Sequence, residues 1–138
     1  MCLDMSIRTR GNVYYGRLKL KGEEHRLTIV AANNYAALLK NVDRFEEASS
    51  VLRKVLPVSR RVLGKGDRIT LKMRWIYAEA LRRAPDATLD DFREAVKTLE
   101  DTARIARRVL GGAHPTTEGV EAELRDARAV LHYRETPS

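Results

Sequence analysis

The stretch ARRVLGGAHPTT, residues 106–117, repeats a phrase the chain has already used. Arg60-Arg61-Val62-Leu63-Gly64 and Arg107-Arg108-Val109-Leu110-Gly111 are identical and lie 47 positions apart. Both phrases read as helix ends. Basic side chains in a last turn suit the negative pole of the helix dipole, and a following glycine takes the left-handed backbone that stops a helix. Three residues on, each copy has a polar residue, Asp67 or His114, and then a threonine, Thr70 or Thr117. In the second copy Pro115 falls in a first helical turn, where its missing N–H costs nothing. A helix stop followed by a helix start, written twice, is the punctuation of a repeat.

Working outward, Thr28 and Thr70, Ala36 and Ala78, and Leu39 and Leu81 are each 42 apart, whereas Phe45 and Phe92, Ala48 and Ala95, and Leu52 and Leu99 are 47 apart. An insertion of five residues around 83–89 in the second unit accounts for the change of offset. A third copy opens at His114. Similarity at a fixed period of this length means stacked supersecondary units. Each unit reads as two helices. Ile29, Ala32, Tyr35, Ala36 and Leu39 form one apolar stripe at helical spacing, and Phe45, Ala48, Val51, Leu52, Val55, Val58 and Val62 form the next. Asn41-Val42-Asp43 breaks the first pair. In the second, Pro85 ends one helix, and Thr88 with Asp91 three residues later predicts an N-cap for the other. The pattern predicts an all-α fold, an antiparallel helix-hairpin repeat array or α-solenoid of about two and a half repeats. Its parts are a ragged N-terminal segment over 1–22 (a degenerate half repeat), repeat 1 over 23–64, repeat 2 over 65–111 with the insertion in its loop, a C-terminal capping helix over 112–133, and a tail over 134–138.

The chain has 138 residues, of which 43% are hydrophobic, enough for one domain with its own core. A single cysteine, Cys2, allows no internal disulfide and predicts a reducing, intracellular setting, most simply the cytoplasm. The start MCLDMSIRTRG contains Asp4 and no apolar core, so it does not read as a secretory signal, while its arginines leave organelle targeting open. No apolar run is long enough to span a bilayer. With 26 basic and 19 acidic side chains the net charge is +7, which favours acidic partners.

Ala36, Phe45, Ala48 and Leu52, with Tyr35 and Leu39, sit where tetratricopeptide repeats place their small and large packing residues. The longer period, GEEHRLT, NNYAALL, DRFEEA, RRVLG and HPTT together resemble the kinesin light chain variety of these repeats, over residues 22–131. The resemblance implies a scaffold that binds a peptide or protein segment, without catalysis and without a cofactor. It also implies that the first helix of each unit lines a concave groove. The groove positions are then Val30, Asn33, Asn34, Ala37 and Lys40 in the first unit and Lys72, Trp75, Ile76, Glu79, Arg82 and Arg83 in the second. A groove asparagine in such repeats holds the backbone of an extended peptide, because a carboxamide both donates and accepts. Asn34 fits that role, but Ile76 replaces it in the next unit, and the chaperone-type carboxylate clamp is not matched. Asn33, Asn34, Lys40, Lys72, Trp75, Arg82 and Arg83 therefore stand as candidate contacts for an acidic segment with an apolar anchor. A solvated basic face around a partly buried tryptophan is the structural alternative.

Several residues depart from the family pattern. Pro57 falls inside a helix, Thr102 replaces an apolar residue expected opposite Val55, and Arg125 and Arg128 take the places of Ala36 and Leu39, which predicts a polar outer face on the capping helix. Gly11 and Gly16 weaken any helix near the start, and VYYGRLKLKG (13–22) alternates like a strand. So short an array is near the minimum for independent stability, and its N-terminal face calls for a partner, a second copy by self-association, or residues outside this chain.

A second functional reading uses the outer helices. Arg53, Arg60 and Arg61 repeat as Arg104, Arg107 and Arg108, an arginine stripe suited to RNA or another anionic surface. Glu46, Glu47, Glu94, Glu100 and Asp101 share those helices and would neutralise part of it. His25, Asp67 and His114 are repeat-equivalent and too far apart to share a metal, so they read as helix-start residues. No motif for nucleophilic, phosphate-binding or metal chemistry appears.

Overall fold

In the computed structural model, which describes residues 10–136 and the side chains from His25 onward, these signals divide the chain into five α-helices. They are α1 (Arg10–Asn41), α2 (Phe45–Val62), α3 (Arg68–Arg83), α4 (Leu89–Leu110) and α5 (Pro115–Glu135), with no strand among the described residues. Gly64 (φ 100°) and Gly111 (φ 92°) hold the positive φ that follows each RRVL phrase. The helix starts are capped as the sequence suggests. Asp67 accepts the Ile69 N–H at 2.9 Å, the His114 Nδ1 accepts the Thr116 N–H at 3.1 Å, and Thr88 and Asp91 complete a reciprocal capping box. Between α1 and α2 the left-handed residue is Asp43 (φ 62°), one of the few non-glycine types that tolerate it. The five-residue insertion is split: α3 and α4 are joined by residues 84–88 where α1 and α2 need only 42–44, and α4 starts three residues before Phe92 whereas α2 starts at Phe45 itself.

Sequence neighbours pack as successive hairpins, and the first helices also touch, α1 on α3 and α3 on α5. Small residues let the helices approach: Ala36, Ala48, Ala78, Ala95 and Ala127 are fully buried. Ile29, Leu52, Met73, Leu99 and Val120 fill the space between them. On α5, the last of the described helices, Arg125, Asp126 and Arg128 are exposed.

Three local expectations meet a different outcome or a specific solution. The strand-like alternation of 13–22 is overridden, since that segment is helical backbone in α1, and His25 lies inside this helix rather than at its start. Residues 1–9 of the ragged segment lie outside the described residues. Pro57 does not end its helix; α2 runs on to Val62, leaving only the Arg53 carbonyl without its usual donor. Thr102, fully buried, satisfies its hydroxyl on its own helix by donating to the Thr98 carbonyl at 2.6 Å.

The helices are also pinned by buried polar groups. The Ser59 and Thr70 hydroxyls lie 2.7 Å apart, joining α2 to α3. Tyr77 of α3 donates to Glu94 of α4 at 2.5 Å and accepts from Arg53 of α2 at 2.9 Å, tying three helices at one phenol. Burial, and then the bond to Glu94, push the Tyr77 hydroxyl above its ordinary pKa.

Candidate interaction surface

The first helices α1, α3 and α5 form a row, and the groove candidates lie along it. Two of the cations are engaged across the row. Lys40 on α1 bonds Glu79 on α3 at 3.3 Å, and Arg82 on α3 bonds Glu123 on α5 at 2.6 Å. Lys40 and Arg82 are repeat-equivalent, so the same position in successive repeats reaches for a glutamate on the next first helix. All four side chains are mostly covered, which makes these the least screened ion pairs among the described residues. Arg83 shares Glu79, donating to its other oxygen at 2.8 Å, and lies over the Phe45 ring, 4.9 Å from its centroid. Lys40, Arg82 and Arg83 are thus supplied with acids by the fold itself.

The remaining candidates divide. Asn34 and Lys72 are exposed, and Lys72 makes no ion pair among the described residues. Asn33 is half-buried, its Oδ1 covered and without a hydrogen-bond partner among the described residues. Trp75 is seated on α5: a Cβ placed on Gly119 would come within 2.2 Å of the indole Cη2. Its Nε1 is likewise covered and unpartnered among the described residues, so the indole works as a spacer between α3 and α5 and exposes only part of its ring. Sequence reasoning missed Glu79 and Glu123 as partners of the groove cations, and Gly119 as the seat of Trp75. The first had a signal in the i,i+4 spacing of Glu79 and Arg83. The second had none, because Gly119 reads as a weak point in a helix until its neighbour is known.

The outer arginines are also partly committed. Arg107 forks onto Glu121 at 2.9 and 3.1 Å, Arg104 bonds Asp101 at 2.8 Å, and Arg53 is held by Tyr77. The bond from Arg107 depresses the Glu121 carboxyl, and the bond from Arg104 depresses that of Asp101. Arg60, Arg61 and Arg108 are exposed and form no ion pair among the described residues. Next to the interhelical turns lies a cleft of about 340 Å³ whose walls include Asp43, Phe45, Glu46, Pro85 and Asp86. There a hydrogen bond with Asp86, then its charge, raises the Glu46 pKa.

Among the described residues no group of three or more His, Cys, Asp or Glu side chains is placed to hold a metal ion, and no helix is long and apolar enough to cross a membrane. No curated protein and no solved structure matches the chain. A family model described as tetratricopeptide repeat, of the kinesin light chain type, matches residues 28–68 and 87–116. The matched segments cover the end of α1, all of α2, all of α4 and the start of α5, and leave out most of α3, where Trp75 and Ile76 stand at the positions of Asn33 and Asn34. Repeats of this family generally mediate protein–protein interaction and typically act as non-enzymatic scaffolds. The hairpins, the buried alanines and the matched segments agree: the chain belongs to the tetratricopeptide repeat family.

Proposed function

We propose that the protein is a non-enzymatic, intracellular adaptor or assembly subunit that holds a segment of another protein along the α1–α3–α5 row. The segment carries an apolar anchor for the uncovered part of the Trp75 ring and an acidic side chain for Lys72. The observation that carries this reading is Lys72, an exposed cation in the same helix as Trp75 with no acid opposite it among the described residues. Asn34 stands exposed on α1 to bond an extended backbone. Lys40, Arg82 and Arg83 contribute less than their number suggests, because a ligand carboxylate must compete with Glu79 and Glu123 for them. Asn33 acts only if its carboxamide turns outward.

Trp75 is the single tryptophan of the chain, so its fluorescence reports occupancy of the groove directly. Three synthetic peptides sharing one apolar anchor, flanked by acidic, neutral or basic residues, are titrated against the protein. The acidic peptide is expected to bind about tenfold tighter than the neutral one, a gap of about 1.4 kcal/mol, and Lys72→Glu to erase that preference. Equal affinity for all three, or a Lys72→Glu variant that keeps the acidic preference, defeats the reading. Lys72 is the residue to change because Trp75→Ala would also empty the seat on Gly119.

Exposed Arg60, Arg61 and Arg108 support a second reading, a weak RNA or polyanion surface on the outer helices. Phosphate binding there falls steeply as salt rises, whereas groove binding anchored on Trp75 falls little.

A further inference from the structure

α1 is apolar on two sides. Ile29, Ala32, Ala36 and Leu39 face the core. Leu27, Tyr35, Leu38 and Val42, with Ala31 between them, form a second stripe that nothing among the described residues covers, at 68%, 52%, 63% and 63% exposure. The opposite end of the array differs, since the outer face of α5 presents Arg125, Asp126 and Arg128 beside the exposed Tyr133. Head-to-tail stacking of copies would set Leu27 and Leu38 against those charges. A two-fold closure instead sets the stripe against itself.

The spacing of the stripe is suited to such closure. Positions 27, 31, 38 and 42 are symmetric about the point between Asn34 and Tyr35, so an antiparallel pair of α1 helices brings Leu27 onto the partner's Val42 and Ala31 onto the partner's Leu38. The match of apolar positions therefore selects one register.

We propose that the outer face of α1 is a docking surface for a second copy of this chain, packed antiparallel about a two-fold axis between Asn34 and Tyr35. Four turns of one helix bury an area at the low end of specific interfaces, below about 1,200 Å² in total, which implies a dissociation constant on the order of micromolar. This face shares Asn34 with the proposed groove, but the two proposals are tested at different residues, Lys72 and Leu38, so failure of one is distinguishable from failure of the other.

The test is sedimentation equilibrium of the full chain over a dilution series, with Leu38→Glu and, as control, Tyr133→Glu, which removes a still more exposed apolar side chain on α5. The native chain and Tyr133→Glu are expected to pass from twice the 15.7 kDa chain mass to the chain mass on dilution, and Leu38→Glu to remain at the chain mass with unchanged helical circular dichroism. Register is read by cross-linking in a Cys2→Ser background. A mixture of Ala31→Cys and Leu38→Cys chains should form mixed disulfide dimers at least tenfold faster than either variant alone. A native chain that stays monomeric at millimolar concentration, or a Leu38→Glu variant that still dimerises, overturns the proposal. Faster linkage of Ala31→Cys to itself overturns the antiparallel register.

Discussion

Thr70 and Thr117 occupy the same place in successive repeats, each near the start of a first helix and each buried, yet their hydroxyls fare differently. Thr70 meets Ser59 at 2.7 Å across the seam between α2 and α3. One repeat later the counterpart of Ser59 is Ala106, and the Thr117 hydroxyl has no partner among the described residues. The first seam is held by this buried pair and by Arg53 on Tyr77. Helix α5 is held by other means: Trp75 on Gly119, the covered Arg82–Glu123 pair, and more exposed ion pairs such as Arg107–Glu121 and Arg128–Glu100. The comparison teaches that the repeat preserves side-chain volume, threonine for threonine and small for small, without preserving polar partners. Volume is what stacking demands at every unit, whereas a hydrogen bond needs two residues to be kept together.

The largest effect should come from the fit that has no counterpart in the first seam. Gly119→Ala drives a methyl into the Trp75 ring and should cost about 2–3 kcal/mol in urea denaturation, because an indole wedged between helices cannot swing aside. Its repeat-equivalent, Lys72, is exposed, and Lys72→Ala should change stability by less than about 0.5 kcal/mol. Replacing Trp75 by Leu in the Gly119→Ala background should recover part of the loss, a coupling that a double-mutant cycle resolves. If Gly119→Ala is neutral, α5 is not seated as described.

Next in size is the threonine pair itself. Thr70→Val strands a buried Ser59 hydroxyl and should cost about 1–2 kcal/mol, while Thr117→Val discards a hydroxyl with nothing to bond and should be neutral or stabilising by up to about 1 kcal/mol. Equal losses at the two sites would erase the comparison. Ala106→Ser sharpens it from the other side by giving Thr117 the partner that Thr70 has. A gain of about 0.5 kcal/mol that disappears in Ala106→Ser with Thr117→Val would show that the missing serine alone separates the two seams.

Most of the fold was legible in the sequence because its signals are local: the RRVLG stops, the caps at Asp67, Thr88 and His114, and the alanines at fixed offsets each act within a few residues. The alternation of 13–22 misled, losing to the continuity of α1, whereas Pro57 behaved as its position inside a helix implies, costing one hydrogen bond while α2 runs on. The candidate surface was less legible. That Lys40 and Arg82 are ion-paired depends on Glu79 and Glu123, 39 and 41 positions away, and no periodic rule places a side chain across a groove. The exposed stripe of α1 was hidden for a related reason. Leu27 and Leu38 look like ordinary helix residues, and Val42 like part of a turn, until the other side of the helix is seen to hold the core.

The smallest expected effect contrasts the turn edge with the rim of α5. At the rim, Arg107 depresses the Glu121 carboxyl. The native state then binds this proton more weakly than the unfolded chain, so the contribution is present above the ordinary glutamate value and lost as pH falls. At the turn edge the sign reverses. Asp86 raises the Glu46 pKa, the native state holds that proton more firmly, and the favourable shared proton is lost as pH rises above the ordinary value of 4.5. At neutral pH two carboxylates therefore face each other across the cleft. Glu46→Gln, whose amide can donate to Asp86, should raise the Tm slightly at neutral pH and leave it unchanged or lower well below pH 4.5. Glu121→Gln should do the opposite, lowering the Tm at neutral pH and converging with the native chain in acid. Both differences should shrink in high salt, since the groups are exposed. A Glu46→Gln gain that persists undiminished in acid would mean that the repulsion is not its source.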